Sequence, residues 1–261
     1  MYSVAPAAKA AWRKLLGWIV ERSALRMEIV DHDPPAALAD LWQRADLGCA
    51  LMCGLPYSLR DPRPTLIAAP VPSLPRYAGR AVYFSDIAVR ADSPYRTLED
   101  TFGAVCGYTL ADSMSGAVAF RRLLHSYRKA ELPQLYRSVV GNLVNARGVI
   151  QALADHRIDV GPLDGYVHDL LQHNDPEFAA QVRVIETTDP TPMPPLVATA
   201  RLSYEVIERI RAALLAVQAE PALASARAAL LLDRFVVPDP SAYRVQRERA
   251  EAVERNCPPW P

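Results

Sequence analysis

The sequence predicts an α/β protein folded as two lobes, with mostly parallel sheets flanked by helices, and three observations carry that reading. Strand-like and helix-like patterns alternate along the chain, the rhythm of sheets covered by helices. Two proline-marked crossings, Pro70 to Pro75 and Pro190 to Pro195, flank one middle unit. The 261 residues suffice for two separate cores. A chain that leaves one lobe, builds a second and returns predicts residues 1-83 and 192-261 as lobe 1 and residues 84-191 as lobe 2.

The elements follow in order. Ala8, Trp12, Leu15, Leu16 and Ile19 mark an amphipathic helix that starts almost at the N-terminus. A strand is expected at Met27 to Val30, a helix at Ala36 to Arg44, and strands at Gly48 to Met52 and Thr65 to Val71. Ala81 to Val89 alternates like one long strand. A short helix near Leu98-Glu99-Asp100, a strand through Ala104, Val105 and Cys106, and a helix carrying Ala117, Phe120, Leu123 and Leu124 come next. Strands at Ser138 to Val140, Ile158 to Leu163 and Val182 to Glu186 surround a helix from Asn145 to Asp155. Beyond the second proline cluster stand a strand at Leu196 to Ala200 and a helix with Tyr204, Ile207, Ile210, Leu214 and Val217. Val245 to Arg255 is charged on most faces and predicts a solvated helix.

Composition excludes several functions. Basic and acidic residues balance at 29 each, and no basic stretch interleaves with aromatics, which disfavours nucleic-acid binding. Every apolar run is broken well short of the roughly 20 residues that span a bilayer, so no direct membrane insertion is expected. The N-terminus lacks the basic region, apolar core and small-residue site of an export signal. Cys49 and Cys53 match no zinc pair, because no second Cys/His pair follows at ligand distance. No metal or cofactor is expected, and the cysteines read as small buried apolar residues.

Asp112-Ser113-Met114-Ser115-Gly116 lies between the apolar run Gly103 to Leu110 and the helical stripe that begins at Ala117. The first amides of a helix have no internal partner, and its dipole puts about half a positive charge there. Ser113 and Ser115 add hydroxyls, and Gly116 allows close approach of an oxyanion to the backbone. The cluster therefore reads as an anion cradle, with Asp112 or Ser113 as a plain N-cap the competing reading.

Several segments together resemble the substrate-binding component of phosphate/phosphite/phosphonate ABC importers. They are Tyr83 to Ser93 with Thr97-Leu98-Glu99-Asp100, the Asp112 to Gly116 cluster, and Ile158-Asp159-Val160-Gly161-Pro162-Leu163-Asp164-Gly165-Tyr166, in matching order from about Tyr2 to Val217. The resemblance implies a type II periplasmic-binding-protein fold whose lobes close at a hinge on a small oxyanion in the cleft between them. It also implies an ABC permease as partner and a periplasmic location. It places Ser113, Met114 and Ser115 where the family binds its phosphate or phosphonate group, with Gly116 next to them. Tyr2 falls at an aromatic position after the family's first strand, Tyr57 near the loop after the third, and Asp164 at an acidic position facing the cleft. Each has a local alternative: Tyr2 as a frayed end, Tyr57 packed on Pro56, Asp164 as the cap of the next helix.

Two departures qualify the match. Where the family often has Gly-Ser-His, this chain has Gly141-Asn142-Leu143-Val144-Asn145, leaving Asn142 as a neutral hydrogen-bond donor. The sequence starts at Met1-Tyr2, without the strand that precedes the tyrosine in the family, so lobe 1 is expected to lack its first strand and the chain its export signal. The mechanism implied is capture, in which helix amides and hydroxyls replace an anion's hydration and affinity is linked to hinge closure. A ligand-sensing module, or a fold-related enzyme acting on a small anionic metabolite, is the alternative. His125, His156, His168 and His173 are its candidate bases. None stands in a recognisable nucleophile context, and all four read as surface histidines.

Overall fold

A computed structural model of the chain describes residues 2–33, 36–128, 134–199 and 201–257. The chain divides into two compact units, Met1–Val82 with Pro192–Tyr243 and Tyr83–Thr191 with Arg244–Pro261.

The first unit opens with α1 (Pro6–Arg22). Proline at its first turn lacks only an amide that would go unpaired there, and Ala8, Ala11, Trp12, Leu15 and Ile19 form its buried stripe. That stripe packs on α8 (Tyr204–Ala216) and α9 (Ala224–Ala229). Ser203 Oγ caps α8 by accepting from the Val206 amide at 3.3 Å. Between these helices lie α2 (Leu38–Gln43), β1 (Cys49–Leu51), α3 (Gly54–Leu59) and β2 (Thr65–Pro72). The four-stranded sheet runs β1, β10 (Leu196–Ala198), β2, β11 (Leu232–Val236).

The second unit holds β4 (Ser85–Arg90), β5 (Val105–Gly107), α4 (Ala119–His125), β6 (Ser138–Val140), α5 (Ala146–Ala154), β7 (Val160–Asp164), α6 (Gly165–Asn174), α7 (Pro176–Ala179) and β8 (Val182–Thr187). Its sheet runs β6-β5-β7-β4-β8, and the C-terminal α10 (Arg244–Asn256) belongs to the same unit. Ile87, Val89, Cys106, Phe120, Leu124 and Val160 pack into one core, with Tyr136 hydrogen-bonded to Thr101 Oγ1 at 2.9 Å. Two short strands, β3 (Val82–Tyr83) and β9 (Thr191–Pro192), form a two-stranded sheet of their own where the chain changes unit.

The strand directions correct the expectation of mostly parallel sheets. Every pairing in the first unit's sheet is antiparallel, and in the second unit β4 runs against both β7 and β8. The cause is local to each crossing. In the first unit β1 and β2 point the same way, as a strand–helix–strand unit requires, but β10 lies between them running the other way. In the second unit β5, β6 and β7 are parallel, and β4 alone opposes its neighbours. β10 and β4 are each the first sheet strand after the chain enters the unit.

Other expectations shift. Met27 to Val30 is not a strand: its exposure alternates, but it pairs with no strand among the described residues, and Met27 packs over Gly48. Ala81 to Val89 breaks into β3 and β4. The helix near Leu98 is a 3-10 turn at Glu99–Thr101. The strand expected to end at Ala200 is described through Ala198, and Ala200 itself lies outside the described residues. The C-terminal helix, expected to be solvated and part of lobe 1, buries Gln246 and Val253 within the second unit. Arg249 Nη1 donates to Pro190 O at 3.1 Å and Thr191 Oγ1 at 2.8 Å, and Arg121 pairs with Glu254 at 2.5 Å. One face of that charged helix is thus engaged while the rest is solvated.

The four cysteines are free. Burial pushes the Cys49 thiol up to about 11 and that of Cys106 up to about 12, so both stay protonated, as small apolar residues do.

Ile87 is fully buried in the middle of β4, opposite Pro162 of β7 and Glu186 of β8. Ile87→Ala is expected to cost about 2–5 kcal/mol, seen as a lower urea midpoint at unchanged slope. Val184→Thr, at an exposed position of β8, should stay within about 0.5 kcal/mol of the parent.

Candidate functional site

The Ser cluster forms one wall of a compact site in the second unit. β5 ends at Gly107, and Tyr108-Thr109 leads into a turn from which Met114–Val118 winds as a π-helical turn continuous with α4. Such turns are rare and recur at functional sites. Ser113 caps it: its Oγ accepts from the Gly116 amide at 3.0 Å, and its carbonyl accepts from Ala117 and Val118 at 3.1 and 3.0 Å. The Met114 and Ser115 amides have no acceptor among the described residues, although Met114 is 2% and Ser115 8% exposed. Two such amides with the helix dipole behind them present donors of the kind an anion can accept.

Gly116 makes this geometry possible. A Cβ there would lie 1.8 Å from Thr109 Oγ1 and 2.9 Å from Ser113 Oγ, and the Gly116 carbonyl accepts from the Thr109 amide at 3.1 Å. The end of β5 and the helix start are therefore closer than any side chain permits.

Asp164 stands opposite. It closes β7, and its Oδ1 caps α6 by accepting from the Val167 amide at 3.0 Å. Ser115 Oγ donates to its Oδ2 at 3.4 Å. Burial pushes the Asp164 carboxyl up to about 7; the Val167 and Tyr166 amides oppose that shift, Asp86 adds to it, and the Ser115 hydrogen bond eases it. Near neutrality the carboxyl is part protonated and both accepts and donates.

Asp86, fully buried on β4, lies behind it. Thr187 Oγ1 donates to its Oδ1 at 2.8 Å, and His168 Nδ1 stands 3.6 Å from its Oδ2. His168 is 2% exposed and its Nε2 has no partner among the described residues, which corrects its reading as a surface histidine. It lies among Tyr166, Val167, Leu170 and Leu171, and the face of α6 that carries it turns onto β4, a strand some 80 positions earlier.

Of the residues singled out from sequence, Ser113, Met114, Ser115, Gly116 and Asp164 come together. Asn142 is exposed at φ 58° and makes no hydrogen bond to the cluster among the described residues. In the first unit Tyr57 is 1% exposed, packs with Met52, Leu66 and Val197, and meets Tyr243 edge-on at 5.0 Å. Its phenol is pushed up by burial, and its place is that of a packing residue. Tyr2 is equally buried, its hydroxyl 3.9 Å from Met193 Sδ, so it is no frayed end. Sequence reasoning missed Thr109, Asp86 and His168 as members of the site. Asp86 had a signal, since it stands beside Ser85 within the motif at Tyr83 to Ser93.

The family described as the periplasmic substrate-binding protein of phosphonate ABC transporters matches residues 3–243 of this chain. Comparison with curated proteins gave no match. Among solved structures, the chain is similar to a binding-protein component of an ABC phosphonate transporter from Pseudomonas aeruginosa, with TM-score 0.79, 19% identity, and 95% of this chain and 82% of that one covered. It is also similar to a Prochlorococcus marinus protein in complex with methylphosphonate, with TM-score 0.77, 12% identity, and 95% and 94% covered. A Xanthomonas citri protein bound to ATP aligns with TM-score 0.65, 21% identity, and 95% and 94% covered. At these identities the structural likeness establishes the fold, that of type II periplasmic binding proteins.

Two outcomes follow from the geometry. Gly116→Ala should destabilise by about 1–3 kcal/mol through overpacking, and Thr109→Ala added to it should recover part of that loss in the same urea titration. Because the folded Asp164 holds its proton more tightly than the unfolded chain, its contribution is complete below pH 3.8 and fades as pH rises towards about 7. Asp164→Asn keeps the cap and removes that titration, so its stability–pH curve should be flatter than the parent's between those limits.

Proposed function

The chain belongs to the periplasmic substrate-binding protein family of phosphonate ABC transporters, and from that premise we propose that Met114, Ser115 and Asp164 form the face on which it captures a small oxyanion. Members of this family are transporter components and not enzymes, they act in the periplasm, and membership implies a small phosphonate-type ligand and an ABC permease as partner.

The buried, acceptor-free amides of Met114 and Ser115 carry the reading. An anion entering the site loses water, and two amides, the Ser115 hydroxyl and the helix dipole replace that hydration without reorganising. Ser113 plays a different part from Ser115. Its hydroxyl is engaged in capping the Gly116 amide, so it holds the turn in shape while Ser115 faces the ligand. On this reading the cap and the cradle fall to different residues of the Ser cluster.

Asp164 sets the ligand's protonation. Part protonated, it donates to an oxygen of a phosphonate, phosphite or phosphate; ionised, it accepts from a hydroxyl on a singly protonated ligand or from an ammonium group. Facing a dianion in its ionised form it repels. For an oxyanion without an ammonium group, affinity should therefore fall as pH rises through about 7. In Asp164→Asn that fall should shrink. A rise in affinity over the same range would instead identify a cationic group on the ligand.

Thermal shift and calorimetry with phosphate, phosphite, methylphosphonate, sulfate and short carboxylates test the proposal. One site filled at a hundred times its dissociation constant stabilises by about 2.7 kcal/mol. Ser115→Ala should weaken binding about tenfold with little change in stability, whereas Ser113→Ala should lose about 1 kcal/mol of stability with its cap. If no oxyanion raises the melting temperature, or if Ser115→Ala responds like the parent, the cradle reading fails. Turnover of any of these compounds would point to an enzyme.

A further inference from the structure

A second concentration of charge in the same unit lies apart from Ser113 to Gly116 and Asp164, although Thr187, which holds Asp86, lines its edge. A pocket of about 120 Å³ is lined by Arg122 of α4, Thr188 and Asp189 beyond β8, and Arg249 of α10, over Ala119 and Leu123. Two guanidiniums therefore face one carboxylate. Arg122 Nη1 donates to Asp189 Oδ2 at 2.9 Å. Arg249 uses Nη1 for Pro190 O and Thr191 Oγ1, and its Nε and Nη2 have no acceptor among the described residues. Thr188 Oγ1 accepts from the Ser85 amide at 3.0 Å, and its own proton has only a long contact, 3.4 Å, to Asp189 O.

We propose that this pocket is a second anion site, taking one small tetrahedral oxyanion of the phosphate or sulfate class between Arg122 and Arg249. Planar guanidiniums present paired donors that match oxyanion geometry, and the Thr188 hydroxyl supplies a third direction. Burial and the neighbouring Arg122 both weaken the hold of Arg249 on its proton, and Asp189 opposes them without cancelling the excess positive charge. A bound anion supplies the missing charge. Arg122 lies on the helix that continues the cradle's π-helical turn, while Thr188 and Asp189 lie just before the crossing at Thr191/Pro192. The anion ties α4, α10 and the outgoing chain together, a stabilising role separate from cargo capture.

Calorimetry of the full chain with inorganic phosphate at low salt tests this. Two sites are expected in the parent. Arg122→Gln, a half-exposed position, should weaken one of them about tenfold and leave the other unchanged, and Ser115→Ala should do the reverse. Arg249→Gln should abolish the first site, but it also releases Pro190 and Thr191, so Arg122→Gln is the deciding variant. Raising salt should weaken the arginine site. One phosphate site that ignores Arg122→Gln overturns the proposal. Phosphate binding that depends on Arg122 and not on Ser115 supports it while removing the cradle, so the two readings fail separately.

Discussion

Leaving a buried backbone amide without an acceptor costs about 1–3 kcal/mol, and the second unit does so twice, at Met114 and Ser115. Neighbouring features keep those amides unpaired. The π-helical turn widens the first turn, and Ser113 satisfies the Gly116 amide but not the two before it. The contact between Gly116 and Thr109 pins the turn to the end of β5, and α10 packs against the same turn from outside. On the proposed reading, an anion bound there supplies the acceptors that these two amides lack.

The acidic side of the site works through burial first, with a neighbouring like charge adding to it. Asp86 and Asp164 lie on neighbouring strands whose register places Asp86 opposite Leu163, one residue short of Asp164. Asp86 is held by Thr187 and stands beside His168, so its presence helps keep the Asp164 carboxyl from ionising at the usual carboxylate pH. On the proposed reading, donors that are amides beside an acid titrating near neutrality would favour an oxyanion that carries a proton.

Strand direction has the same origin as the division of the chain. β4 and β10 are the strands with which the chain enters each unit, and both run against their sheet neighbours; β11 opposes β2 as β10 does, while β1 and β2, and β5, β6 and β7, share a direction. β4 places Asp86 in the middle of the sheet, against α6 and His168. The antiparallel insertion thus positions the acid pair as well as closing the sheet.

Much of this was legible in the residues themselves. Ser138 to Val140 reads as a strand and is one, Asn145 caps the helix expected to start there, and Ser203 precedes the helix marked by Ile207, Ile210 and Leu214. Caps, stripes and turns depend on side chains within four positions, and the sequence by itself determined them. It determined the Ser113 to Gly116 cluster for the same reason, since both of its readings are bookkeeping of local amides. Tertiary structure alone decided the rest. Met27 to Val30 alternates like a strand and pairs with none among the described residues, His168 reads as a surface residue and is buried, and the charged C-terminal helix docks through Arg249 and Val253. Each of those outcomes turns on a neighbour tens of residues away, and which neighbour supplies the hydrogen bond or covers the side chain is fixed only when the chain has crossed between its units.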